Sequence, residues 1–311
     1  MTQLLPKVFL CGFPKSGTTS LVSALTATDQ VCFGIEKEPN YYCRDLLPNY
    51  TMAKNKSLYH ENYSCCSASK MLIDGSITTI YSDSGLNEIK ENVSNPKFII
   101  AVRNPLEMGV SLHAYLYAIG HENIASFEKA LGLITKRKMG EGIPHSSLVP
   151  FYLDYINCVK LSDRILTVKT LFGEGAVQLV TFDDIINDQA KVLVEILEFL
   201  QLESNLNFLD TAWTNRTIPL TRDKTHALFI LLLNLKAKFG IKKGFGFSKL
   251  YFKLREISEV YRLKSRNTRQ ASFSEEYLQT CKHELQSLEN HIPKETLKKW
   301  KIKFGEIIEN P

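Results

Sequence analysis

The segment Gly12-Phe13-Pro14-Lys15-Ser16-Gly17-Thr18-Thr19 most constrains how this chain of 311 residues can fold. An apolar run, Val8 to Phe13, leads into it, and a helix-compatible stretch, Ser20 to Thr26, follows it. This order predicts a buried strand, a glycine loop and a helix start. Such a loop binds anionic oxygens, because its backbone N–H groups converge, the helix N-terminus is partly positive and a lysine adds full charge. The segment therefore predicts a phosphate-binding unit.

The loop departs from the pattern of nucleoside-triphosphate P-loops. Gly12 and Gly17 have the right spacing, but a P-loop then needs Lys followed by Ser or Thr. Here Thr18 and Thr19 stand at those positions, and the lysine lies inside the loop as Lys15. A magnesium-dependent triphosphatase is therefore disfavoured. The loop predicts instead a grip on the 5′ end of a nucleotide that needs no metal.

A second phosphate signature follows the apolar run Phe98 to Val102. Arg103-Asn104-Pro105 comes directly after that run, Ser111 lies eight residues beyond the arginine, and Tyr115 lies four further on. An arginine can chelate phosphate oxygens with its planar fork, and a serine can donate one more hydrogen bond. Arg103 and Ser111 are therefore predicted to bind one phosphate together.

The segment from Pro14 to Thr19 resembles the 5′-phosphosulfate loop of sulfotransferases, which take the sulfuryl group from 3′-phosphoadenosine-5′-phosphosulfate (PAPS) and release 3′-phosphoadenosine-5′-phosphate (PAP). The Arg103 signature resembles their 3′-phosphate element. The resemblance implies that Lys15 assists the leaving 5′-phosphate and that Arg103 and Ser111 bind the 3′-phosphate. It implies that the remaining contacts to the 5′-phosphate come from Ser16, Gly17, Thr18 and Thr19.

The segment Glu36-Lys37-Glu38-Pro39-Asn40-Tyr41-Tyr42 resembles the acceptor-side motif of heparan-type and many bacterial sulfotransferases. The resemblance implies that Glu38 is the general base, and Asn40 replaces a histidine that is common there. Asp74, at the end of a predicted strand, is similar to a polar strand end that contacts acceptor in the heparan-type enzymes. His113 is the rival base, since enzymes of phenols and steroids use a histidine, but its position predicts packing or solvent exposure.

A basic run, Lys264 to Arg269, falls where the family closes a late loop over the 3′-phosphate. The resemblance implies donor contacts from Lys264 or Arg266. Ser265 replaces the usual glycine, however, and a solvated charge run is the alternative interpretation.

Short apolar segments alternate with helical patterns along the chain. Predicted strands are Val8 to Phe13, Met71 to Asp74, Lys97 to Val102 and Val177 to Phe182. Predicted helical stretches are Thr18 to Thr28, Leu106 to Ile119, Pro150 to Phe172 and Gln189 to Leu200, with another from about Ser274. The pattern predicts an α/β fold, a P-loop-like doubly wound parallel sheet flanked by helices. We expect one domain, with the α/β core in residues 5–220 and a helical part in residues 221–311. Residues 45–70, polar and tyrosine-rich, are predicted to form a surface loop with short helices.

Composition narrows the classes of partner and the cellular compartment that we expect for this protein. A net charge of +5 is too small to indicate nucleic-acid binding. Seven cysteines, without a Cys-x-x-Cys pair, predict reduced cytosolic thiols rather than a zinc site or a disulfide framework. No signal peptide is evident, and the run Ala227 to Leu235 is far shorter than the ~20 residues of a membrane span. We expect a soluble, cytoplasmic protein. The alternative is the lumenal domain of a truncated Golgi enzyme, which five glycosylation sequons would suit: Asn49, Asn55, Asn62, Asn92 and Asn215.

These features predict a PAPS-dependent sulfotransferase that acts on a hydroxyl or amine of a saccharide or a polar small-molecule natural product, with no metal. The segment Lys37 to Pro39 favours the carbohydrate or bacterial branch. A P-loop nucleotide kinase and a non-catalytic nucleotide- or glycan-binding relative are the alternatives.

Overall fold

A parallel sheet of five strands organises the described part of the chain, which comprises residues 5–47, 53–204 and 273–309 of a computed structural model. The strands are β1 (Val8–Gly12), β2 (Val31–Cys32), β3 (Met71–Asp74), β4 (Lys97–Val102) and β5 (Val177–Thr181). They lie in the order β2-β3-β1-β4-β5, and every neighbouring pair is parallel. The predicted parallel α/β sheet is confirmed.

Helices cover both faces of this sheet. In chain order they are α1 (Thr18–Ala27), α2 (Lys56–Asn62), α3 (Asp83–Asn92), α4 (Pro105–Ile119), α5 (Phe127–Leu131), α6 (Ile134–Lys138), α7 (Tyr155–Val159), α8 (Ser162–Phe172), α9 (Phe182–Asn187), α10 (Gln189–Leu200), α11 (Glu275–Ser287) and α12 (Lys294–Glu309). Short 3-10 turns cover Ile77–Tyr81, Pro150–Leu153, Glu174–Ala176 and Leu288–Asn290.

The sheet buries side chains on both faces because successive residues of a strand point to opposite sides. On β1, Phe9 and Cys11 belong to one hydrophobic cluster, and Val8 and Leu10 belong to the other. The first cluster takes in α4, α7, α8 and the C-terminal helices, and the second takes in α1 and α10. The apolar runs of the sequence are therefore strands covered on both sides.

Strand β1 lies between β3 and β4, and the chain completes β2 and β3 on one side of β1 before it crosses to β4 and β5 on the other, which makes β1 a switch point of the sheet. Gly12 of β1 pairs with Ala101 of β4, and Phe9 pairs with Asp74 of β3. In parallel sheets, ligands bind at the carboxyl ends of the strands beside such a switch point. The loop after β1, Asp74 and Arg103 thus share one rim.

Two parts of the fold differ from the prediction. Residues 150–172 do not form one helical stretch, because a 3-10 turn, α7 and α8 follow one another there. Two tyrosines in the described part of the predicted surface loop are core residues: Tyr59 of α2 and Tyr63 are 1% and 5% exposed. Tyr59 stacks on Tyr41, with ring centroids 4.7 Å apart. The segment therefore contributes an aromatic part of the core.

The expectation that all the cysteines are free thiols is wrong for Cys32 and Cys66. They form a disulfide with a Cα–Cα distance of 5.9 Å. The fold causes this pairing, because β2 runs beside β3 and the segment before β3 brings Cys66 to the end of β2. None of the helices in the described ranges is long and apolar enough to cross a membrane.

Candidate active site

The loop after β1 has the backbone shape of an anion-binding turn. Lys15 and Gly17 both have positive φ angles, 65° and 81°. Gly12 packs so closely on β4 that an added Cβ would lie 2.2 Å from the carbonyl oxygen of Ala101. Gly17 is the N-cap of α1, and no side chain caps this helix start. The first-turn N–H groups of α1 therefore remain available to an anion.

Arg103 joins this loop to the second phosphate signature. Its Nη1 donates to the carbonyl oxygen of Lys15 at 3.0 Å, and its Nη2 lies 3.3 Å from Oε2 of Glu107. The ring of Phe182, directly after β5, lies 4.3 Å from the guanidinium carbon. Burial lowers the pKa of Arg103 to about 10, so the group remains a cation at neutral pH.

Several buried polar atoms at this rim have no partner in the described structure. They include the hydroxyl of Ser16, which is fully buried, and Nε of Arg103. Buried polar groups normally form hydrogen bonds, so unpaired ones that converge on a rim indicate a ligand site. Lys15 adds a second cation there, with its Nζ 4.5 Å from the ring centroid of Tyr115. Burial and the neighbouring charge of Arg103 lower the pKa of Lys15.

Arg103, Glu107 and Ser111 follow one another at four-residue spacing, and the two that lie on helix α4, Glu107 and Ser111, share one face of it. Arg103 lies just before the helix, Glu107 lies in its first turn, and Ser111 follows a turn later. The two predicted phosphate contacts therefore have a carboxylate between them. Glu107 was absent from the predicted site, although its spacing from Arg103 was visible in the sequence.

Lys37, the neighbour of Glu38 in the sequence, connects Glu38 to the loop after β1. Nζ of Lys37 is 2.8 Å from Oε1 of Glu38 and 3.5 Å from the hydroxyl oxygen of Thr18. Lys37 thus bridges the predicted base and the predicted phosphate loop. The side chain of Glu38 is half-buried, and that of Thr18 is buried. Sequence reasoning named Lys37 only as part of a motif and missed this bridge.

Asp74 and Asn40 are buried polar residues next to the Glu38 segment. Asp74 is 1% exposed and accepts hydrogen bonds from the hydroxyl of Tyr59 and the N–H of Ser76, both at 2.8 Å. Burial raises the pKa of Asp74, and the charge of Glu38 adds to the effect. The hydroxyl of Ser76 in turn accepts from the N–H of Asn40 at 2.9 Å. Asp74 therefore supports the Glu38 segment from inside the protein.

A comparison with known protein families identifies the family of the chain that carries this rim. The family described as "Sulfotransferase domain" matches residues 5–234, which include the loop after β1, Glu38, Asp74 and Arg103. This chain belongs to the sulfotransferase family. A comparison with curated proteins found no match.

The chain is also similar to several solved structures. The crystal structure of a sulfotransferase from Alicyclobacillus acidocaldarius has a TM-score of 0.58 at 17% identity and covers 77% of this chain and 98% of that one. The sulfotransferase domain from the curacin biosynthetic pathway gives 0.43 at 15% identity, covering 91% and 98%. The domain from the Synechococcus PCC 7002 olefin synthase gives 0.39 at 17%, covering 86% and 98%. The first similarity shows a shared fold.

The rival base of this sulfotransferase is a packed residue. His113 is 5% exposed, its Nε2 lies 2.9 Å from the carbonyl oxygen of Ile124, and its ring contacts Phe127 and Tyr155. Burial lowers the pKa of His113, which disfavours its charged form. This packing agrees with the prediction that His113 is not the base.

Some predicted residues lie outside the described part of the sulfotransferase, namely Lys264, Arg266, Asn49 and Asn215. Conversely, the structure brings residues to the rim that sequence reasoning missed: Phe182, Asp183, Trp300 and Lys303. Phe182 was detectable, because it is the last residue of the predicted strand Val177 to Phe182. Trp300 and Lys303 gave no signal, since a terminal amphipathic helix can dock in many places.

Proposed function

We propose that this sulfotransferase transfers the sulfuryl group of PAPS to a hydroxyl or amine of a saccharide or a polar small-molecule natural product. The observation that carries the proposal is the hydrogen bond from Arg103 to the carbonyl of Lys15, which joins the two phosphate signatures at one rim. The unpaired Ser16 hydroxyl and Arg103 Nε fit a ligand with a phosphate at each end. When bound, PAPS supplies the activated sulfuryl group.

The residues of the chain divide the work of such a transfer. The N-terminus of α1, with Ser16, Thr18 and Thr19, holds the 5′-phosphate, and Lys15 neutralises charge that develops on the leaving group. Arg103 and Ser111 hold the 3′-phosphate. In-line placement, cations around the moving oxygens and a base at the acceptor are what this chemistry requires. No metal has a role in this proposal.

Glu38 takes the proton from the acceptor in this proposal. Its carboxylate is half-buried and fixed by Lys37, which also contacts Thr18 of the donor loop. A carboxylate held at that position can accept a proton from a hydroxyl placed against the donor loop. The ion pair also orients Glu38, because the two groups lie within direct hydrogen-bonding distance.

The acceptor surface beside Glu38 is polar, which favours a hydroxyl-rich acceptor. Nδ2 of Asn40 is buried without a partner in the described structure, and the Tyr152 hydroxyl contacts that of Thr78. Burial raises the pKa of Tyr152, and the charge of Glu38 adds to this, so Tyr152 lies within electrostatic reach of the base. Polar groups that need partners suit a saccharide better than a phenol or steroid.

The test is calorimetric binding of PAP with EDTA present, against ATP with magnesium. Tight, metal-independent binding of PAP is expected, and Lys15→Ala and Arg103→Ala should abolish it. Lys7→Ala is the matched control, because Lys7 is exposed and precedes β1 at the end away from the rim. Preference for magnesium-ATP would overturn the proposal in favour of a P-loop kinase.

A further inference from the structure

Two carboxylates act on the guanidinium of Arg103, one by contact and one by its charge, and residues of one C-terminal helix contact both. Glu107 contacts Nη2 of Arg103, and the charge of Asp183 acts on the same group. Nζ of Lys303 contacts Oε1 of Glu107, and Nε1 of Trp300 donates to Oδ2 of Asp183 at 2.8 Å. Both holding residues belong to α12 (Lys294–Glu309).

The packing of α12 explains why these two side chains reach the rim. Leu297, Trp300 and Phe304 are 3%, 2% and 8% exposed, and this spacing forms a buried stripe along the helix. Lys303 lies beside that stripe, three residues after Trp300, so both point toward the same side of the helix. The charge of Arg103 also lowers the pKa of Lys303, after burial, so the two cations lie within electrostatic reach.

Both carboxylates would oppose the binding of an anion to Arg103. Glu107 competes for the N–H groups that a phosphate would use, and Asp183 repels the incoming charge. Asp183 directly follows Phe182, whose ring packs on the guanidinium of Arg103. Asp183 therefore lies close to the proposed donor site. A cation or hydrogen-bond donor that pairs with each carboxylate weakens the competition from Glu107 and the repulsion from Asp183. Lys303 supplies a full charge to one, and the indole of Trp300 supplies a hydrogen bond to the other.

We propose that α12 is a positioning element of the donor site: Lys303 and Trp300 hold Glu107 and Asp183 so that Arg103 remains available to the 3′-phosphate. Neither residue needs to touch the donor in this role. The inference rests on the proposed function, because it takes Arg103 as a phosphate-binding residue. It extends the site to a helix beyond the 5–234 region that the family match covers.

The test is a pair of charge-compensation cycles, measured as PAP affinity by calorimetry. Lys303→Met should weaken binding about tenfold, the order expected when one nearby carboxylate loses its counter-charge. Adding Glu107→Gln should restore affinity, because the uncompensated charge is gone. In the second cycle, Trp300→Phe should weaken binding and Asp183→Asn should restore it. Thermal unfolding of each variant checks that the fold is retained.

The control is Lys301→Met, since Lys301 lies on the same helix, is exposed and pairs with Glu289 away from Arg103. It should leave PAP affinity unchanged. If Lys303→Met binds PAP like the wild type, or if Glu107→Gln fails to restore the loss, the positioning role of Lys303 is wrong. Likewise, if Trp300→Phe binds PAP like the wild type, or if Asp183→Asn fails to restore the loss, the positioning role of Trp300 is wrong. A wild-type protein that binds no PAP would overturn the proposed function and this inference together.

Discussion

Arg103 donates a hydrogen bond from Nη1 to the carbonyl oxygen of Lys15 at 3.0 Å, across 88 residues of sequence. The side chain that is proposed to bind one phosphate therefore also fixes the loop proposed to bind the other. Arg103 can do both because a guanidinium has five N–H groups in a fixed fork. Its Nε remains unpaired in the described structure. Arg103 thus contributes both to the geometry of the loop and to the charge of the site.

Arg103→Lys separates these two roles. The variant keeps the positive charge but cannot bond the Lys15 carbonyl and a phosphate together. We expect PAP affinity to fall by roughly 10- to 100-fold, the equivalent of one hydrogen bond to a charged group. Arg164→Lys is the matched control, because Arg164 pairs with Asp83 at the surface. Equal affinities of Arg103→Lys and the wild type, by calorimetry, would show that charge alone suffices.

Glu38→Gln tests the general base. The amide is nearly the same size but cannot accept the acceptor's proton, so kcat should fall by roughly 10² to 10⁴-fold. PAP affinity should stay unchanged, because the donor contacts lie on the loop after β1 and on Arg103. Glu36→Gln is the control, since Glu36 is exposed and contacts Asn62 through its backbone. Full turnover in Glu38→Gln, measured with an identified acceptor, would exclude Glu38 as the base.

A buried ion pair stabilises the segment after α4. Glu122 accepts hydrogen bonds from both terminal nitrogens of Arg137 at 2.7 Å and from the hydroxyl of Tyr155 at 2.8 Å. Burial alone raises the pKa of Glu122, but Arg137 outweighs it and the net shift is downward. Arg137→Met leaves a buried charge without its counter-charge and should cost about 3–5 kcal/mol in the free energy of unfolding.

Urea unfolding measures that cost, and a double variant locates its cause. Arg137→Met combined with Glu122→Gln removes the unpaired charge, so much of the lost stability should return. Lys138→Met is the control, because Lys138 is exposed and pairs with Asp154 near the surface. A loss below about 1 kcal/mol in Arg137→Met would place this pair among ordinary surface ion pairs.

The disulfide predicts a specific count of reactive thiols. Cys32 and Cys66 are bonded, and the free cysteines are Cys11, Cys43, Cys65, Cys158 and Cys281. Alkylation of the denatured protein without reductant should therefore label five cysteines, and with reductant it should label seven. In the native protein, Cys65 should react first, because it alone among these free thiols is exposed. Mass spectrometry that finds seven labels without reductant would restore the prediction of reduced thiols.

The strand, loop and helix around Lys15 were predictable because local chemistry determines them. A buried parallel strand needs an unbroken apolar run, and the loop needs glycine where φ is positive. The two-residue strand β2 lacked such a run and was missed. The break between α7 and α8 was also missed, because a distant residue makes it: the carboxylate of Glu284 accepts from the N–H groups of Leu161 and Ser162.

The candidate site likewise contains residues that the sequence indicated and residues that it did not. Lys15, Glu38 and Arg103 follow predicted strands or lie in recognisable motifs, so the sequence indicated them. Lys303 and Trp300 reach the rim only through the docking of α12 on the core, a tertiary contact without a local signature. The residues that we propose to tune the charge around Arg103 were therefore beyond prediction, whereas the charged groups proposed to bind the anion were predictable.

Asp74 gives the last prediction, a pH dependence of stability. Burial raises the pKa of Asp74 above its ordinary 3.8, despite hydrogen bonds from Ser76 and Tyr59 that act in the opposite direction. The folded protein therefore binds this proton more tightly than the unfolded chain does. The contribution to stability is full below the unfolded pKa and is lost as pH rises through the folded pKa. Asp74→Asn has no such titration.

The free energy of unfolding of the wild type minus that of Asp74→Asn should consequently fall as pH rises from about 3.5 to about 7. The difference isolates Asp74, because the other carboxylates titrate in both proteins. Urea unfolding at intervals over this range supplies the values, and Asp83→Asn, at an exposed residue of α3, is the matched surface control. A difference that rises with pH would mean that the hydrogen bonds from Ser76 and Tyr59 outweigh the cost of burying the charge.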